Sequence, residues 1–531
     1  MSTHPNARAL VVELVTEELP PKALDALGRA FAEGIRKKLD EAGLLADPDA
    51  CTAYATPRRL AVRLDAVLGQ APDQAYAEKL MPASIGLDAA GAPTPALLKK
   101  LQAKGLGHLG ANDLARRHDG KQDVLYAEGT APGAKLADGL QQALDYAASH
   151  LPIPKVMQYQ LADGRTSVKF VRPAQRLLAL WGTDVVPVHA LGLEAGRITL
   201  GHRFLETGPL SIESAETWAD RLASEGRVVP SFAERRALIA RQLAESSASV
   251  GATIGQGPEV EALLDEVAAL VEYPTVYVGA FEEAFLAVPP ECLILTMRLN
   301  QKYFPLFDPA TGALTHRFLI VSNMQPADPT HIIQGNQRVV RPRLADAQFF
   351  YQTDLKTPLI DRVADLANSV YHNKLGTQLQ RTERVRKLAR WLAPLLGGDP
   401  LAAARAAMLA HADLGTQMVG EFPELQGIMG AYYAAHDGEP ADVVRALRDQ
   451  YRIRLDEPVT DDTLTAAVLF MAERAETLVG IWGIGLAPTG ERDPYGLRRA
   501  ALGLISAYEQ LTAGGRLQPS QDTPARLAAL L

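Results

Sequence analysis

The sequence predicts a multidomain α+β protein, in which a mixed α/β N-terminal region is followed by an all-helical region. The chain has 531 residues, too many for one compact core, and this length indicates three or more domains. Short aliphatic, β-like runs alternate with helical patterns through the first half. After residue 358 the patterns are almost exclusively helical, so we place a boundary within residues 345–360.

The first region contains recognisable strands. The strings ALVVELV and LAVRLDAVL predict two strands, separated by an amphipathic helix over residues 21–42. VVPVHALGL and GRITLGHRF predict a pair of strands joined by a glycine-containing turn. Residues 275–278 and 317–322 predict further strands. In the helical region, LAAARAAMLAHADL predicts a core helix because alanine has the highest helix propensity.

Composition points to a reducing, aqueous compartment. Hydrophobic residues make up 47% of the chain and charged residues 22%, as in soluble globular proteins. The two cysteines, Cys51 and Cys292, are far apart and imply neither a disulfide framework nor a zinc site. The N-terminal apolar run is interrupted by Glu13, which favours a strand over a signal peptide. We therefore expect a cytoplasmic location with no membrane span.

Two basic zones stand out on a chain whose net charge is −8. Residues 155–176 contain five basic residues and one acid, and residues 374–390 contain six and one. In the second zone Arg384, Lys387 and Arg390 step by three along one side of a helix whose opposite face is apolar. That side either is simply hydrated or lines a groove that binds RNA.

Residues 477–503 combine six glycines and two prolines with two adjacent arginines. The glycines predict close backbone approach or positive φ. Asp493 before a proline predicts a helix N-cap, and the helix would project Arg498 and Arg499 from its first turns. Because guanidinium binds phosphate bidentately, the pair suits a polyanion. The alternative is a tight helix–loop–helix corner with solvated arginines.

A second candidate contact is the string VVRPRLADAQFF, residues 339–350. Arg338, Arg341 and Arg343 precede an aromatic triplet that begins at Phe349. Arginine on phosphate combined with aromatic stacking is common in RNA recognition, so we predict RNA or subunit contact at a loop-to-helix junction. In the alternative interpretation the aromatics fill core and the arginines pair with residues such as Asp346.

Nine strings in the same order resemble the bacterial glycyl-tRNA synthetase β-subunit family, the non-catalytic partner in the two-subunit form of that enzyme. The resemblance covers nearly the whole chain and is carried by ELVTEELPPKAL, TPRRLAV, LPIPKVM, FVRPAQ, GHRF, FLAVPPE, QKYFP, VVRPRLADAQFF and the glycine-rich segment at 477–503. Each string alone is weak evidence, whereas this many in order are strong evidence.

The resemblance implies a chain that binds and orients tRNA(Gly) while a separate α subunit catalyses glycylation, in an α2β2-like heterotetramer. ATP with Mg would be used by the assembled enzyme. We expect no cofactor and no catalytic residue in this chain, because it has no GxxxxGK[ST] segment, no GxGxxG after a strand and no convincing class II signature. The alternatives are an HD-type metal-dependent nucleotide phosphohydrolase, a non-catalytic RNA-binding scaffold and a purely structural scaffold with no RNA affinity.

The resemblance also implies a domain division: residues 1–350 would bind tRNA and the α subunit, and residues 351–510 would form an HD-like helical domain. That domain is expected to be degenerate and metal-free, because Ala412-Asp413 stands where the His-Asp doublet falls, with Glu473 at a distal acidic position. His436-Asp437 falls in an expected loop. Residues 511–531 would be a remnant, since family members usually continue into a helical anticodon-binding module.

Overall fold

The computed structural model describes residues 6–88, 90–205 and 208–517 and divides the chain into two compact units. The first unit extends to Tyr277 and also contains Leu319–Pro329; the second contains Val278–Phe318 and continues from Thr330. The chain passes from one unit to the other at points outside residues 345–360. The division into residues 1–350, 351–510 and 511–531 therefore stays a prediction. Residues 518–531 of the expected C-terminal remnant lie outside the described residues.

The first unit is a mixed α/β assembly built on one large sheet. Its strands are β1 (Ala7–Thr16), β2 (Cys51–Thr56), β3 (Arg59–Leu68), β4 (Gln74–Pro82), β5 (Leu114–His118), β6 (Asp123–Ala131), β7 (Met157–Gln160), β8 (Ser167–Phe170), β9 (Ala174–Trp181), β10 (Asp184–Val185), β11 (His189–Ala190), β12 (Leu193–Gly196), β13 (Ile198–Leu200) and β14 (Pro209–Ser211). Its helices are α1 (Leu24–Glu41), α2 (Ala83–Gly86), α3 (Pro95–Ala103), α4 (Leu136–Ser149), α5 (Trp218–Ser224), α6 (Phe232–Ser249) and α7 (Pro258–Ala268).

Strand β1 is the centre of the large sheet, whose order is β11-β12-β9-β1-β3-β2 with β10 beside β9. It pairs antiparallel with β3 and β9, so both of its edges are covered. Side chains alternate along a strand, and both faces of β1 are buried. Leu10, Val12 and Leu14 join the core that contains residues of α1 and α4, whereas Ala9 and Val11 join a second core. The predicted strands at 9–15 and 60–68 and the helix between them are confirmed.

Strand β1 also carries a buried carboxylate. Glu13 follows Ala9 and Val11 on the same face and accepts hydrogen bonds from Arg59 Nη1 at 2.7 Å and from the indole of Trp218 at 3.2 Å. Arg59 Nε lies 3.5 Å from Glu272, and its Nη2 donates to a backbone carbonyl at 2.8 Å. Glu13 and Arg59 belong to two of the strings used for the resemblance, so part of that resemblance reflects a buried ion pair that stabilises the fold.

The strand pairing predicted for residues 185–204 is wrong. VVPVHALGL and GRITLGHRF do not pair with each other; β11 turns back on β12 within residues 189–196, and β13 pairs with β14. The reason is the two-residue turn at Leu191 and Gly192, whose φ angles are 54° and 80°. Two successive positive φ values match the twist of a tight hairpin.

A separate three-stranded sheet, of order β4-β6-β5, was not predicted. It packs with α2 and α3 around its own small core, which includes Leu80, Leu97 and Leu125. Its strands are mixed in polarity; the string QAYAEKLMP of β4, for example, has only one buried residue. Such segments give little periodic signal, because only one side of the sheet meets a core.

The second unit is mainly helical. Strands β15 (Thr275–Ala280), β16 (Phe304–Phe307) and β17 (Leu314–Ser322) form a sheet of order β15-β17-β16, and the divisions after Tyr277 and Phe318 fall within β15 and β17. The strands predicted at 275–278 and 317–322 are thus confirmed. A short hairpin, β18 (Val370–His372) with β19 (Gly376–Thr377), interrupts the helices. The helices are α8 (Pro290–Leu295), α9 (Thr330–Asp354), α10 (Gln378–Leu395), α11 (Pro400–Leu409), α12 (Gln417–Glu421), α13 (Ile428–His436), α14 (Ala441–Asp449), α15 (Asp461–Gly483) and α16 (Leu497–Ala513). Among the described residues, no helix has the length and apolar character needed to cross a membrane.

Candidate functional site

Seven arginines and one lysine are predicted to contact RNA or a partner. All eight lie in the second unit, on α9, α10 and α16. The local structure predicted for Arg341 and Arg343 is wrong: they lie inside the 25-residue helix α9, not at a loop-to-helix junction. Val340, Leu344 and Ala347 recur at helical spacing and are buried, which draws the segment into one amphipathic helix. The internal proline costs one backbone hydrogen bond on the exposed side.

Helix α9 presents an exposed stripe of arginine and phenylalanine. Arg341 follows Arg338 by three residues, and Phe349 follows Arg341 by eight and Arg338 by eleven. These spacings place the three residues on one side of the helix. Phe349 is 61% exposed. Arg341 pairs with Glu282 at the surface, so the predicted pairing with Asp346 is not seen among the described residues. Such exposed pairs are worth little and open readily for a ligand.

The basic side predicted for α10 is divided in the structure. Arg384 is half-exposed and held at the surface of α15, where its Nε donates to Glu476 Oε1 at 2.8 Å and its Nη1 to a backbone carbonyl at 3.1 Å. Lys387 and Arg390 are exposed and have no ion-pair partner within the described part of the chain. Since helical positions three apart diverge by about 60°, the first of the three reaches the carboxylate of Glu476 while the others face water.

The glycine-rich segment forms the end of α15, a loop and the start of α16. Asp493 accepts the backbone N–H groups of Leu497 and Arg498 at 2.9 Å each. These hydrogen bonds, that of the Arg498 amide foremost, lower the pKa of Asp493. The helix begins at Leu497 and its N-cap is Gly496, with a φ of 66°, so the N-cap predicted at Asp493, with proline in the first turn, is wrong. Gly485 has a positive φ of 84°, as predicted. At Gly483 an added side chain would meet open space, so no close backbone approach requires glycine there.

The two adjacent arginines of α16 point to different places. Arg498 Nη2 donates to the carbonyl of Gly490 at 2.5 Å and so braces the preceding loop. Arg499 folds back over Gly496 and borders a cavity of about 290 Å³. It is exposed and forms no ion pair in the described segments.

A buried polar cluster adjoins this cavity, where α10, α15 and the segment after α11 meet. Arg381 Nε donates to Glu476 Oε2 at 3.0 Å, and its Nη2 pairs with Glu473. His411 Nε2 lies 3.0 Å from Arg381 Nη1 and 2.9 Å from Glu473 Oε1. His411 Nδ1 lies 3.0 Å from the hydroxyl of Tyr451. The guanidinium of Arg381 thus contacts both the histidine and the carboxylate, which are also in direct contact with each other.

The charges in this cluster depend on one another. Burial opposes ionisation of Glu473, but the charge of Arg381, with His411, outweighs burial and lowers the pKa of Glu473 to about 2. Burial raises the pKa of Tyr451, which stays a neutral hydroxyl. The cluster is therefore a permanent carboxylate–guanidinium pair with a histidine attached, and it has no open coordination position.

The other residues considered as metal ligands do not reach this cluster. Asp413 is fully buried and accepts the backbone N–H groups of Gly427 and Gly430 at 2.6 and 3.0 Å. Burial raises the pKa of Asp413 to about 6. The loop position expected for His436-Asp437 is wrong for His436, which ends α13, whereas Asp437 lies in the turn that follows the helix and accepts a backbone N–H at 2.6 Å. No group of three or more metal-ligating side chains is present in the described residues.

We predict that the purified, tag-free chain holds no stoichiometric transition metal. The cation of Arg381 already neutralises the carboxylate that a metal would need, and a cationic neighbour lowers metal affinity further. Elemental analysis after dialysis against Mn²⁺ and Zn²⁺ measures this directly. One metal per chain, lost on Asp413→Ala, would contradict the prediction.

Sequence reasoning missed Arg381 and Arg474, which border the cavity with Arg499. Both are charged residues within helices, and most charged residues of amphipathic helices are hydrated. Arg381 could have been recognised as a charged residue on the buried face of its helix, because it lies beside Thr382 and four residues before Val385, both of which are buried.

Comparison with known proteins places this architecture in a family. Residues 10–519 match the family described as "Glycyl-tRNA synthetase beta subunit". A glycine–tRNA ligase beta subunit of Dechloromonas aromatica (strain RCB) is 54% identical over 510 residues, which cover 94% of this chain and 72% of the relative. One of Acidovorax sp. (strain JS42) is 53% identical over 99% of this chain and 74% of its own length, and one of Delftia acidovorans (strain DSM 14801 / SPH-1) is 55% identical over 94% and 71%. The chain therefore belongs to the glycyl-tRNA synthetase β-subunit family.

Proposed function

We propose that this chain binds and orients tRNA(Gly) for glycylation catalysed by a separate α subunit, in a cytoplasmic α2β2-like heterotetramer. The assembled enzyme would convert ATP, glycine and tRNA to glycyl-tRNA, AMP and pyrophosphate. The observation that carries the proposal is the family match over residues 10–519, together with relatives named as β subunits. ATP and Mg would be bound by the α subunit, since this sequence lacks a recognisable phosphate cradle.

The exposed cations of the second unit support RNA contact. Arg338 and Phe349 on the α9 stripe combine a phosphate ligand with an aromatic surface on which a base stacks. Lys387 and Arg390 add charge on α10 without competing ion pairs in the described segments. Such contacts attract the RNA backbone at short range, which is compatible with an acidic chain because salt screens its distant charges.

An HD-type phosphohydrolase is not favoured, because His411 and Glu473 already bind each other and Arg381 and are not free to bind a metal. A scaffold without RNA affinity is not favoured either, since it would leave the exposed arginines of α9 and α10 without a role. The residues that we expect to contact tRNA or the α subunit are Arg338, Arg341, Arg343, Lys387, Arg390, Arg498 and Arg499. Arg384 is the weakest candidate, because Glu476 already holds it.

We predict that the isolated chain does not activate glycine. Glycine-dependent exchange of pyrophosphate into ATP should be at background with this chain alone and should appear when the α subunit is added. Copurification with the small partner, followed by glycylation assays with and without it, tests the proposal. Exchange by rigorously α-free protein would overturn the division of labour.

We predict that Arg338→Ala and Arg390→Ala weaken tRNA binding and lower the slope of log K against log salt by roughly one unit per lost phosphate contact. The loss should be similar for different tRNA sequences, because phosphate contacts carry no base information. Binding is measured at two salt concentrations, beside melting temperatures and α-subunit pull-down. Arg445→Ala, an exposed change on α14, is the matched control.

The three readouts distinguish the alternatives. If the arginines contact the α subunit, RNA affinity survives and pull-down fails. If they stabilise the fold, the variants melt early and every loss of binding follows the melting temperature. An unchanged salt slope in both variants, at normal stability, would remove the proposed phosphate contacts.

A further inference from the structure

The cavity of the second unit is bordered by more positive charge than its carboxylates balance. Four arginines line it, namely Arg381, Arg452, Arg474 and Arg499, against the single carboxylate of Glu473. Glu473 is already held by Arg381. Arg452 is paired outside the cavity lining with Asp449, at 3.2 Å. The remaining two guanidiniums have no carboxylate partner within 4 Å in the described residues.

Arg474 is the more telling of these two, because it is largely enclosed. Its Nη1 donates to the carbonyls of Phe470 and Gln450 at 3.0 and 3.3 Å, and its Nη2 donates to the carbonyl of Arg452. Its guanidinium carbon stands 3.3 Å from the ring centroid of Phe470. Burial lowers the pKa of Arg474 to about 10. The charge of Glu473 partly offsets this effect of burial, but no carboxylate of the described residues lies within ion-pair distance of the guanidinium. An enclosed cation that bonds only neutral carbonyls is costly without an anion in contact with it.

Two further residues, Arg499 and Gln450, line the same cavity. Arg499 stands at the mouth of the cavity with its guanidinium unpaired in the described structure. Gln450 is 4% exposed, lines the cavity, and its Oε1 has no hydrogen-bond partner although its Nε2 donates to two carbonyls. A buried amide oxygen without a donor is rare and suits a ligand that carries a hydroxyl group.

We propose that this cavity binds a phosphate group that carries a hydroxyl-bearing substituent, as in a nucleotide. Guanidiniums at the wall and at the mouth match the geometry and charge of phosphate. Gln450 Oε1 provides an acceptor for a ribose hydroxyl or a protonated phosphate oxygen. A volume of about 290 Å³ lies at the small end of ligand pockets and suits a mononucleotide or one nucleotide of an RNA. This site is independent of the proposed tRNA function, because the residues that form it all line the cavity.

The probes are inorganic phosphate and AMP, titrated into the full chain by calorimetry in EDTA-containing chloride buffer of constant ionic strength. We expect saturable binding of one AMP per chain, with phosphate weaker. Arg499→Ala should weaken AMP binding roughly tenfold or more, because it removes a charge-assisted contact. Arg499→Lys should recover part of the loss, since it restores the charge without the bidentate fork.

Arg445→Ala is the control for this cavity, since Arg445 is an exposed arginine on α14 that does not line it. It should leave AMP binding within about twofold of the unmodified chain, at an unchanged melting temperature. The proposal is overturned if the unmodified chain binds no AMP, if Arg499→Ala binds it normally, or if Arg445→Ala loses as much.

A second experiment, with tRNA, distinguishes a phosphate of RNA from that of a free small molecule. If Arg499→Ala loses tRNA affinity and AMP competes with tRNA on the unmodified chain, the cavity holds a nucleotide of the RNA. If tRNA affinity is unchanged while AMP binding is lost, the cavity takes a free phosphorylated small molecule. Either result supports the site, and a chain that binds AMP but no tRNA would reject the proposed function while keeping this inference.

Discussion

We expect Arg59→Ala to lower the free energy of unfolding of the first unit by about 3–5 kcal/mol, because it strands two buried carboxylates. Glu13 is 0% exposed and Glu272 is 2% exposed, and Arg59 is the cation that both approach. Without it, the side-chain hydrogen bonds that remain to the two carboxylates come from the indole of Trp218 to Glu13 and from the hydroxyl of Thr56 to Glu272. At a few degrees per kcal/mol, the melting temperature should fall by roughly 6–20 °C.

The matched control is Arg63→Ala on the same strand, β3. Arg63 pairs with Asp65 at 2.7 Å, but its side chain is 30% exposed and that of Asp65 is 48% exposed. Exposed pairs contribute about 0–1 kcal/mol, so this variant should melt close to the unmodified chain. Thermal unfolding followed by circular dichroism measures both. Equal melting temperatures for the two variants would show that the Glu13–Arg59 pair does not stabilise the unit.

The second large effect is expected from Arg381→Met, which removes the cation from the Glu473, Glu476 and His411 cluster. Methionine keeps most of the volume but none of the charge, and breaking a buried pair costs about 3–5 kcal/mol. We expect early unfolding of the second unit, measured as the apparent midpoint in denaturant. Arg386→Met on the same helix is the control, since the ion-pair partner of Arg386 in the described part of the chain is the half-exposed Glu383.

The loss in Arg381→Met should depend on pH with a definite sign. In the unmodified chain the pKa of Glu473 is about 2, below its ordinary value of 4.5. A depressed pKa contributes stability that is complete above about 4.5 and is lost as pH falls towards 2. In the variant, burial without Arg381 favours the protonated acid. The difference between the two proteins should therefore be greatest near pH 7 and smaller at pH 4; a difference that grows on acidification would contradict this account.

The elements that the sequence predicted well are those whose environment is uniform along their length. Strand β1 is buried on both faces, and α1 has one apolar side, so the residue pattern contains the answer. Helix α9 was predicted poorly because Pro342 reads as a break, whereas the buried spacing of Val340, Leu344 and Ala347 outweighs one lost hydrogen bond. Tertiary packing decided that segment.

The candidate site shows the same limit more sharply. His411 and Glu473 could be singled out from the sequence, but their partner Arg381 precedes His411 by 30 residues and Glu473 by 92. Arg381 lies four residues before Val385 on the buried face of α10, which marks an unusual polar position but names no partner. That it meets the carboxylates of α15 is seen only in the folded chain.

The alternation along β1 gives Glu13 a role in selecting strand register. A slip of one residue would exchange the two faces of the strand and move Glu13 into the wholly apolar core beside α1 and α4, away from Arg59. An aliphatic strand with two similar faces would tolerate that exchange, since either set of side chains is hydrophobic. The single carboxylate makes the two arrangements unequal by the cost of an unpaired buried charge, so misaligned pairing of β1 with β3 and β9 is penalised while the sheet assembles.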